Sequence, residues 1–182
     1  MIDPVDWPGV LKRIGGERGM RGQWVKACVG VLIVAGMPAS VLVGGTALAG
    51  VPGSTSALNL DEKGLALGGY DPVAYFEGGK PVRGREGISA SYGGARYLFA
   101  TAAHRQTFLK EPEKFVPEFG GYCVVGAAFG EKVDVDPTTG QVVNGKLYLN
   151  NSRKALDIFN KDMPGIIAKA QDRWPAVKDK AL

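Results

Sequence analysis

All six tyrosines and all seven phenylalanines of this 182-residue chain lie between Tyr70 and Phe159. Aromatic rings bury large apolar areas, so their positions indicate where a hydrophobic core can form. A segment of this size is typical of one domain with one core. We therefore expect the fold to be built from this part of the chain, and the first third of the sequence needs another explanation.

The N-terminal part has the pattern of an export signal. Residues 27–51 form an uncharged, largely apolar run that follows the basic residues Arg21 and Lys26 and contains Ala-Leu-Ala ending at Ala49. A basic stretch, an apolar stretch and a small-x-small site in this order are typical of a cleavable signal peptide. The sequence predicts removal of residues 1–49 and a mature protein that is periplasmic or secreted, without a stable membrane anchor.

Two alternatives belong to the same segment. Translation from Met20 gives a signal of more ordinary length than translation from Met1, so Met20 is an alternative start. Residues 27–51 are also long enough to span a bilayer if they are retained, although Pro38 and several glycines interrupt them. The alternative localisation is therefore a protein anchored to the membrane by residues 27–51.

The charge of the mature part excludes one class of partner. Residues 1–49 hold five of the 22 basic and three of the 18 acidic residues, so their removal lowers the formal net charge from +4 to +2. No cluster of basic residues with interleaved aromatics remains. We expect no nucleic-acid partner.

Local signals predict an α+β domain over residues 69–175, preceded by a linker at 50–68 and followed by a tail at 176–182. Gly93-Gly94 and Asn144-Gly145 each separate two β-favouring runs, which indicates two hairpins. Helices are expected from the Thr101 cap to Leu109, from Arg153 to Lys161 after a Ser152 cap, and from Pro164 toward Trp174. The predicted fold is a small antiparallel sheet of two hairpins with three packed helices.

Cys123 is the candidate functional residue that stands out. It is the one cysteine left after removal of the predicted signal, because Cys28 lies within that segment. In an oxidising compartment an unpaired thiol persists when it is buried, bound to a metal, bridged to another chain or used chemically. The spacing of Cys123 from the single histidine, His104, neither supports nor excludes contact between the two.

Four stretches resemble the YHS domain family, specifically its exported, stand-alone members. They are YDPVAYFEGGKPVRG, YGGARYLFAT, HRQTFLKEPEKFVPEFGGYC and VNGKLYLNNS. The resemblance implies a small metal-binding module over most of the mature chain. It also shows a departure, because Ala74 and Ala100 stand where cysteine-rich relatives carry two of their cysteines, and His104 stands in place of a third.

The combined expectation is a metal-binding protein without catalytic activity of its own. Cys123 and His104 are the proposed ligands of a copper or zinc ion, and the oxygen atoms of Asp71 and Tyr122 are further candidates. Each residue also has a structural interpretation: a buried thiol, a half-buried histidine, a turn-forming aspartate and a core aromatic.

Two alternative functions remain open from the sequence. His104 beside Cys123 would favour a thiolate and thiol-based redox chemistry, although the mature chain has no second cysteine to resolve a disulfide. A metal-free interaction module is the other alternative. It predicts that the function depends neither on a bound metal nor on the reactivity of the thiol.

Overall fold

The computed structural model describes residues 50–182. The predicted signal segment at 1–49, with its alternative start at Met20, lies outside the described residues, as does nearly all of the alternative anchor at 27–51. Within residues 50–182, no helix is long and apolar enough to cross a membrane.

The first predicted hairpin is confirmed. Strands β1 (Arg85–Tyr92) and β2 (Ala95–Phe99) pair in antiparallel register. Gly93 and Gly94 form the two-residue turn with φ of 57° and 85°. Positive φ at both turn positions matches the twist of the flanking strands, and glycine adopts it without steric cost.

The second predicted hairpin is also confirmed. Strands β3 (Asp136–Val143) and β4 (Lys146–Asn150) are antiparallel. Asn144 and Gly145 turn the chain with φ of 51° and 74°, which is the turn that Asn-Gly favours.

The two hairpins form separate two-stranded sheets, so the prediction of one sheet is wrong. One reason lies at the strand edges. Single parallel bridges join β4 to Pro117 and Cys123, and another joins Arg96 of β2 to Leu65. Irregular segments thus occupy the outer edges of β2 and β4, so the two hairpins do not join through these two strands.

The prediction of three helices is too low for residues 50–182, which contain six. They are α1 (Ala74–Gly78), α2 (Ala102–Lys110), α3 (Pro112–Phe115), α4 (Val124–Ala128), α5 (Arg153–Lys161) and α6 (Met163–Val177). Helices α2, α5 and α6 correspond to the three predicted ones. Helices α1, α3 and α4 have only four or five residues each, too few for a helical period to show in the sequence.

Side chains cap the predicted helices as expected. The Thr101 hydroxyl accepts a hydrogen bond from the His104 amide at 3.0 Å, and the Ser152 hydroxyl accepts one from the Ala155 amide at 3.3 Å. These oxygens satisfy amides that have no partner inside the helix. The cap on α2 fixes His104 in the first turn of that helix.

The aromatic core has two centres. The fully buried Phe108 ring lies 5.1 Å from both Tyr97 and Phe99, centroid to centroid, and joins α2 to the first hairpin. Tyr148 of β4 lies 5.8 Å from Phe159 of α5 and joins the second hairpin to the C-terminal helices. Each hairpin is therefore stabilised by its own helix.

Residues 50–60, the first part of the predicted linker, lie against the domain, and we call them the strap. The Ser56 carbonyl accepts hydrogen bonds from the Tyr122 hydroxyl at 2.9 Å and from Lys132 Nζ at 2.7 Å. The Leu182 amide donates to the Ser54 carbonyl at 2.9 Å. Side-chain and backbone partners thus compensate for the strap's low apolar content, and the end of the predicted tail is part of the same contact.

Candidate functional site

Asp71 is a fully buried carboxylate at the start of α1. Its Oδ1 accepts hydrogen bonds from the amides of Val73 at 2.9 Å and Ala74 at 3.4 Å. Its Oδ2 accepts one from the Ala100 amide at 2.7 Å. The structural interpretation of Asp71 as a turn residue is confirmed, and the same carboxylate also connects α1 to the end of β2.

His104 lies between two carboxylates. Its Nδ1 is 2.6 Å from Asp71 Oδ2, and its Nε2 is 3.1 Å from Glu77 Oε2. The Asp71 side chain is inaccessible, whereas those of His104 and Glu77 are 20% and 57% exposed. The imidazole is therefore oriented from the buried side and open on the other.

The hydrogen bonds of Asp71 indicate which nitrogen of His104 donates to it. Three backbone amides donate to the carboxylate, so the fourth contact, from His104 Nδ1, is also best made by an N–H. In a neutral imidazole this places the proton on Nδ1 and leaves the Nε2 lone pair toward Glu77. The Nε2 lone pair and the Glu77 carboxylate oxygen then face each other. Both are acceptors, so they attract a proton or a metal cation between them.

Sequence reasoning missed Glu77. No helix is predicted around Ala74–Gly78, and it is this helical turn that places Glu77 beside α2. Asp71 and Glu77 are too far apart in the sequence to form a local ligand motif. The sequence therefore carries no clear signal for Glu77.

Cys123 is a buried cap of α4. Its sulfur accepts hydrogen bonds from the amides of Gly126 at 3.4 Å and Asn151 at 3.3 Å. Burial raises the pKa of the thiol above its ordinary value, although these amides act in the opposite direction. Cys123 is therefore a neutral thiol that holds α4 and the end of β4 together.

Tyr122 holds the strap. Its hydroxyl donates to the Ser56 carbonyl, and Lys132 Nζ lies 4.9 Å from the centre of its ring. Burial raises the pKa of this phenol, which disfavours a phenolate ligand.

Of the four predicted ligands, the structure brings Asp71 and His104 into contact and adds Glu77. Cys123 and Tyr122 make their hydrogen bonds to backbone groups elsewhere. In the described part of the chain, no group of three or more His, Cys, Asp or Glu side chains is arranged to hold a metal ion. This agrees with the geometry of His104, since Asp71 and Glu77 lie at opposite nitrogens of the ring and do not converge on one point.

Comparisons of the chain with protein-family models, curated proteins and solved structures find no match.

Proposed function

We propose that this protein binds a copper or zinc ion reversibly, with His104 Nε2 and the Glu77 carboxylate as its protein ligands. The observation that carries the proposal is the 3.1 Å approach of Nε2 to Glu77 Oε2 on an imidazole whose other nitrogen faces Asp71. A carboxylate hydrogen-bonded to the far nitrogen is the usual partner of a metal-binding histidine.

The distance between the two donor atoms fits the proposal. Zinc bonds to imidazole nitrogen and carboxylate oxygen are about 2.0 to 2.2 Å, which places two tetrahedral ligands roughly 3.3 Å apart. Nε2 and Oε2 already lie 3.1 Å apart, and Glu77 is exposed enough to adjust. Little rearrangement is needed to receive a cation.

Charge also favours a divalent ion at this place. Asp71 and Glu77 supply two negative charges around one imidazole. A divalent cation bound to neutral His104 balances both negative charges, whereas a proton on His104 balances only one of them. The free energy of the cluster is therefore expected to favour the metal-bound state when the ion is supplied.

The ligand set indicates which ion binds and how firmly. An imidazole and a carboxylate bind copper(II) more tightly than zinc(II), following the general order of divalent-metal affinities. Two protein ligands leave the other coordination positions open, unlike a closed four-ligand structural site. Such a site suits uptake and release of an ion better than permanent stabilisation of the fold.

This proposal revises the ligand set expected from sequence. Asp71 becomes the residue that orients His104 and is not itself a ligand, while Cys123 and Tyr122 are structural. The buried, neutral thiol of Cys123 also gives no support to thiol-based redox chemistry. The remaining parts of the proposal are a YHS-type domain identity, removal of residues 1–49, and a periplasmic or secreted location.

The test is a competition titration of purified protein with copper(II) and zinc(II). We expect His104→Ala to abolish saturable binding and Glu77→Gln to weaken it by about tenfold or more. Asp71→Asn should weaken binding by about 10- to 100-fold through the orientation of the ring. Cys123→Ala and Tyr122→Phe are the matched controls, and both should bind like the unmodified protein.

Three outcomes would contradict this assignment. Binding that survives His104→Ala but is lost in Cys123→Ala would restore the thiol as the ligand. Equal affinity in Glu77→Gln and the unmodified protein would remove Glu77 from the site. No saturable binding to the folded, unmodified protein would refute metal binding and favour the metal-free interaction module.

A further inference from the structure

Asn59 of the strap has a buried amide oxygen with no partner in the described part of the chain. The residue is 2% exposed. Its Nδ2 donates to the Gly121 carbonyl at 3.1 Å and to Asp134 Oδ1 at 2.9 Å. These two acceptors fix which end of the amide is nitrogen, so Oδ1 points the other way and is unsatisfied. An unsatisfied buried oxygen is destabilising, so a donor is expected there.

Gly50 lies where that donor would be. A side-chain carbon built on Gly50 would overlap Asn59 Oδ1 and would lie 3.2 Å from Asp134 Oδ1. It would also lie 3.0 Å from Leu182 Cδ2. The main chain of Gly50 therefore lies directly against both acceptors, with no room for a side chain.

The acceptors at Gly50 include a nearly buried charge. Asp134 is 9% exposed, and its Oδ1 also accepts from the Val135 amide at 2.7 Å. Within residues 50–182 it forms no ion pair. Lys132, its near neighbour in sequence, donates to the carbonyls of Ser56 and Lys178. A buried carboxylate with only neutral donors is stabilised further by a cation that can also donate hydrogen bonds.

We propose that Asn59 Oδ1 and the Asp134 carboxylate form a binding site for the α-ammonium group of Gly50. This inference depends on the proposed removal of residues 1–49, which turns the Gly50 amide into a terminal ammonium. An α-amino group has an ordinary pKa of about 7.7 to 8.0, so it is largely charged at neutral pH. It has three donors, enough for both acceptors, whereas the uncleaved amide has one donor and no charge.

Processing then tightens the strap. Once bound, the ammonium holds residue 50 against Asn59 and Asp134, next to the Gly53–Leu182 and Leu182–Ser54 backbone hydrogen bonds at 3.2 and 2.9 Å. The strap, the end of the chain and the Tyr122 segment become one cooperative contact. The uncleaved chain has the same contacts without the ion pair.

The test uses the full chain with a protease recognition sequence in place of residues 44–49, so that cleavage leaves Gly50 first. Both forms are kept in the same detergent, and hydrogen exchange is followed at the amides of Gly53, Asn59 and Leu182. A charge-assisted hydrogen bond is stronger than one between neutral groups, so cleavage should slow these exchange rates by roughly 10- to 150-fold.

Two matched variants isolate the ammonium. In Asp134→Asn the amide oxygen can still accept from Asn59 and Val135, so the domain should stay folded, but cleavage should slow exchange by threefold or less. Moving the recognition sequence by one residue leaves Ala49 first. The ammonium is then displaced, and the effect should be similarly small.

Equal exchange rates before and after cleavage to Gly50 would overturn the inference. So would an undiminished cleavage effect in Asp134→Asn or in the form that begins at Ala49. Metal affinity is measured on the same samples and should not depend on cleavage, so failure of the ammonium site and failure of metal binding are distinguishable. N-terminal sequencing of exported protein tests separately whether Gly50 is the natural first residue.

Discussion

At the scale of single residues, Asp71 is the side chain on which the candidate site depends. Its two oxygens receive three backbone amides and His104 Nδ1. A fully buried carboxylate is tolerated when such donors replace water. The same contacts that stabilise α1 and the end of β2 therefore orient the imidazole.

Asp71→Asn should destabilise the fold by about 3 kcal/mol, because the amide nitrogen must face donors on one side. Urea unfolding of both proteins measures this difference. Glu77→Gln is the control, since its side chain is 57% exposed, and it should change the free energy of unfolding by less than about 0.5 kcal/mol. Equal stability of Asp71→Asn and the unmodified protein would contradict the role given to Asp71.

Cys123 is a second single residue whose role can be tested, because its thiol is structural. Because it is buried and its pKa is raised, a thiol-specific reagent should label it at least about a hundredfold more slowly in native protein than in urea. A Cys28→Ser background removes the other cysteine of the chain. Rapid, stoichiometric labelling of the native protein would show that Cys123 is accessible and would reopen the redox alternative.

At the scale of elements, the parts that could be predicted are those specified by a few adjacent residues. Gly93-Gly94 and Asn144-Gly145 determine two turns, and Thr101 and Ser152 determine two helix starts. The single-turn helices could not be predicted in this way. Helix α1 depends on Asp71, whose other contacts come from β2 and α2, so its form and the position of Glu77 are consequences of tertiary structure.

Gly84, just before β1, tests the close approach of two elements. A side-chain carbon there would lie 2.5 Å from the backbone carbon and 2.8 Å from the oxygen of Leu98 in β2. Gly84→Ala should therefore cost about 1 to 3 kcal/mol, since backbone atoms cannot move away easily. Thermal unfolding measures the loss.

Gly87 in β1 is the matched position, because nothing lies within 4 Å of a carbon added there. Gly87→Ala should be neutral or slightly stabilising, as alanine restricts the unfolded chain. A larger loss at Gly87 than at Gly84 would contradict the packing described for the first hairpin.

The packing of β2 against α2 predicts that the protein loses stability at alkaline pH. Burial raises the pKa of Tyr97, which packs on Phe108, to about 12. The folded state holds the phenol proton more tightly than the unfolded state, whose value is about 10. The stability from neutral Tyr97 is thus complete below about pH 10 and is lost as pH rises toward 12.

Tyr97→Phe removes the ionising group and keeps the ring. Urea midpoints measured from pH 7 to 11.5 should fall less steeply above pH 10 in Tyr97→Phe than in the unmodified protein, with little difference at pH 7. Parallel curves for the two proteins would contradict a buried Tyr97 phenol.

At the scale of the whole molecule, the arrangement of the elements could not be read from local patterns. The two hairpins belong to separate sheets, and Leu65, Pro117 and Cys123 pair with the outer edges of β2 and β4. These bridges are made by irregular segments whose sequences carry no strand period. The strap is a similar case, because the Tyr122 and Lys132 side chains that hold it come from distant parts of the chain.

The candidate site could be predicted only in part, because its contacts also join distant parts of the chain. Asp71 and His104 could be selected from residue chemistry and family resemblance, and the structure brings them together. Contact between His104 and Cys123 depended on chain topology, and the structure instead gives Cys123 two backbone amides as partners. Glu77 joined the site through α1, an element that the sequence did not specify.

The most direct measurement uses the fact that His104 is the single histidine of the chain. Its ring nitrogens can be followed without ambiguity by ¹⁵N NMR while zinc(II) is added. We expect a saturable shift of Nε2, with Nδ1 remaining protonated beside Asp71. If neither nitrogen responds to zinc, or if zinc displaces the proton from Nδ1, His104 Nε2 is not the metal ligand and the central proposal is wrong.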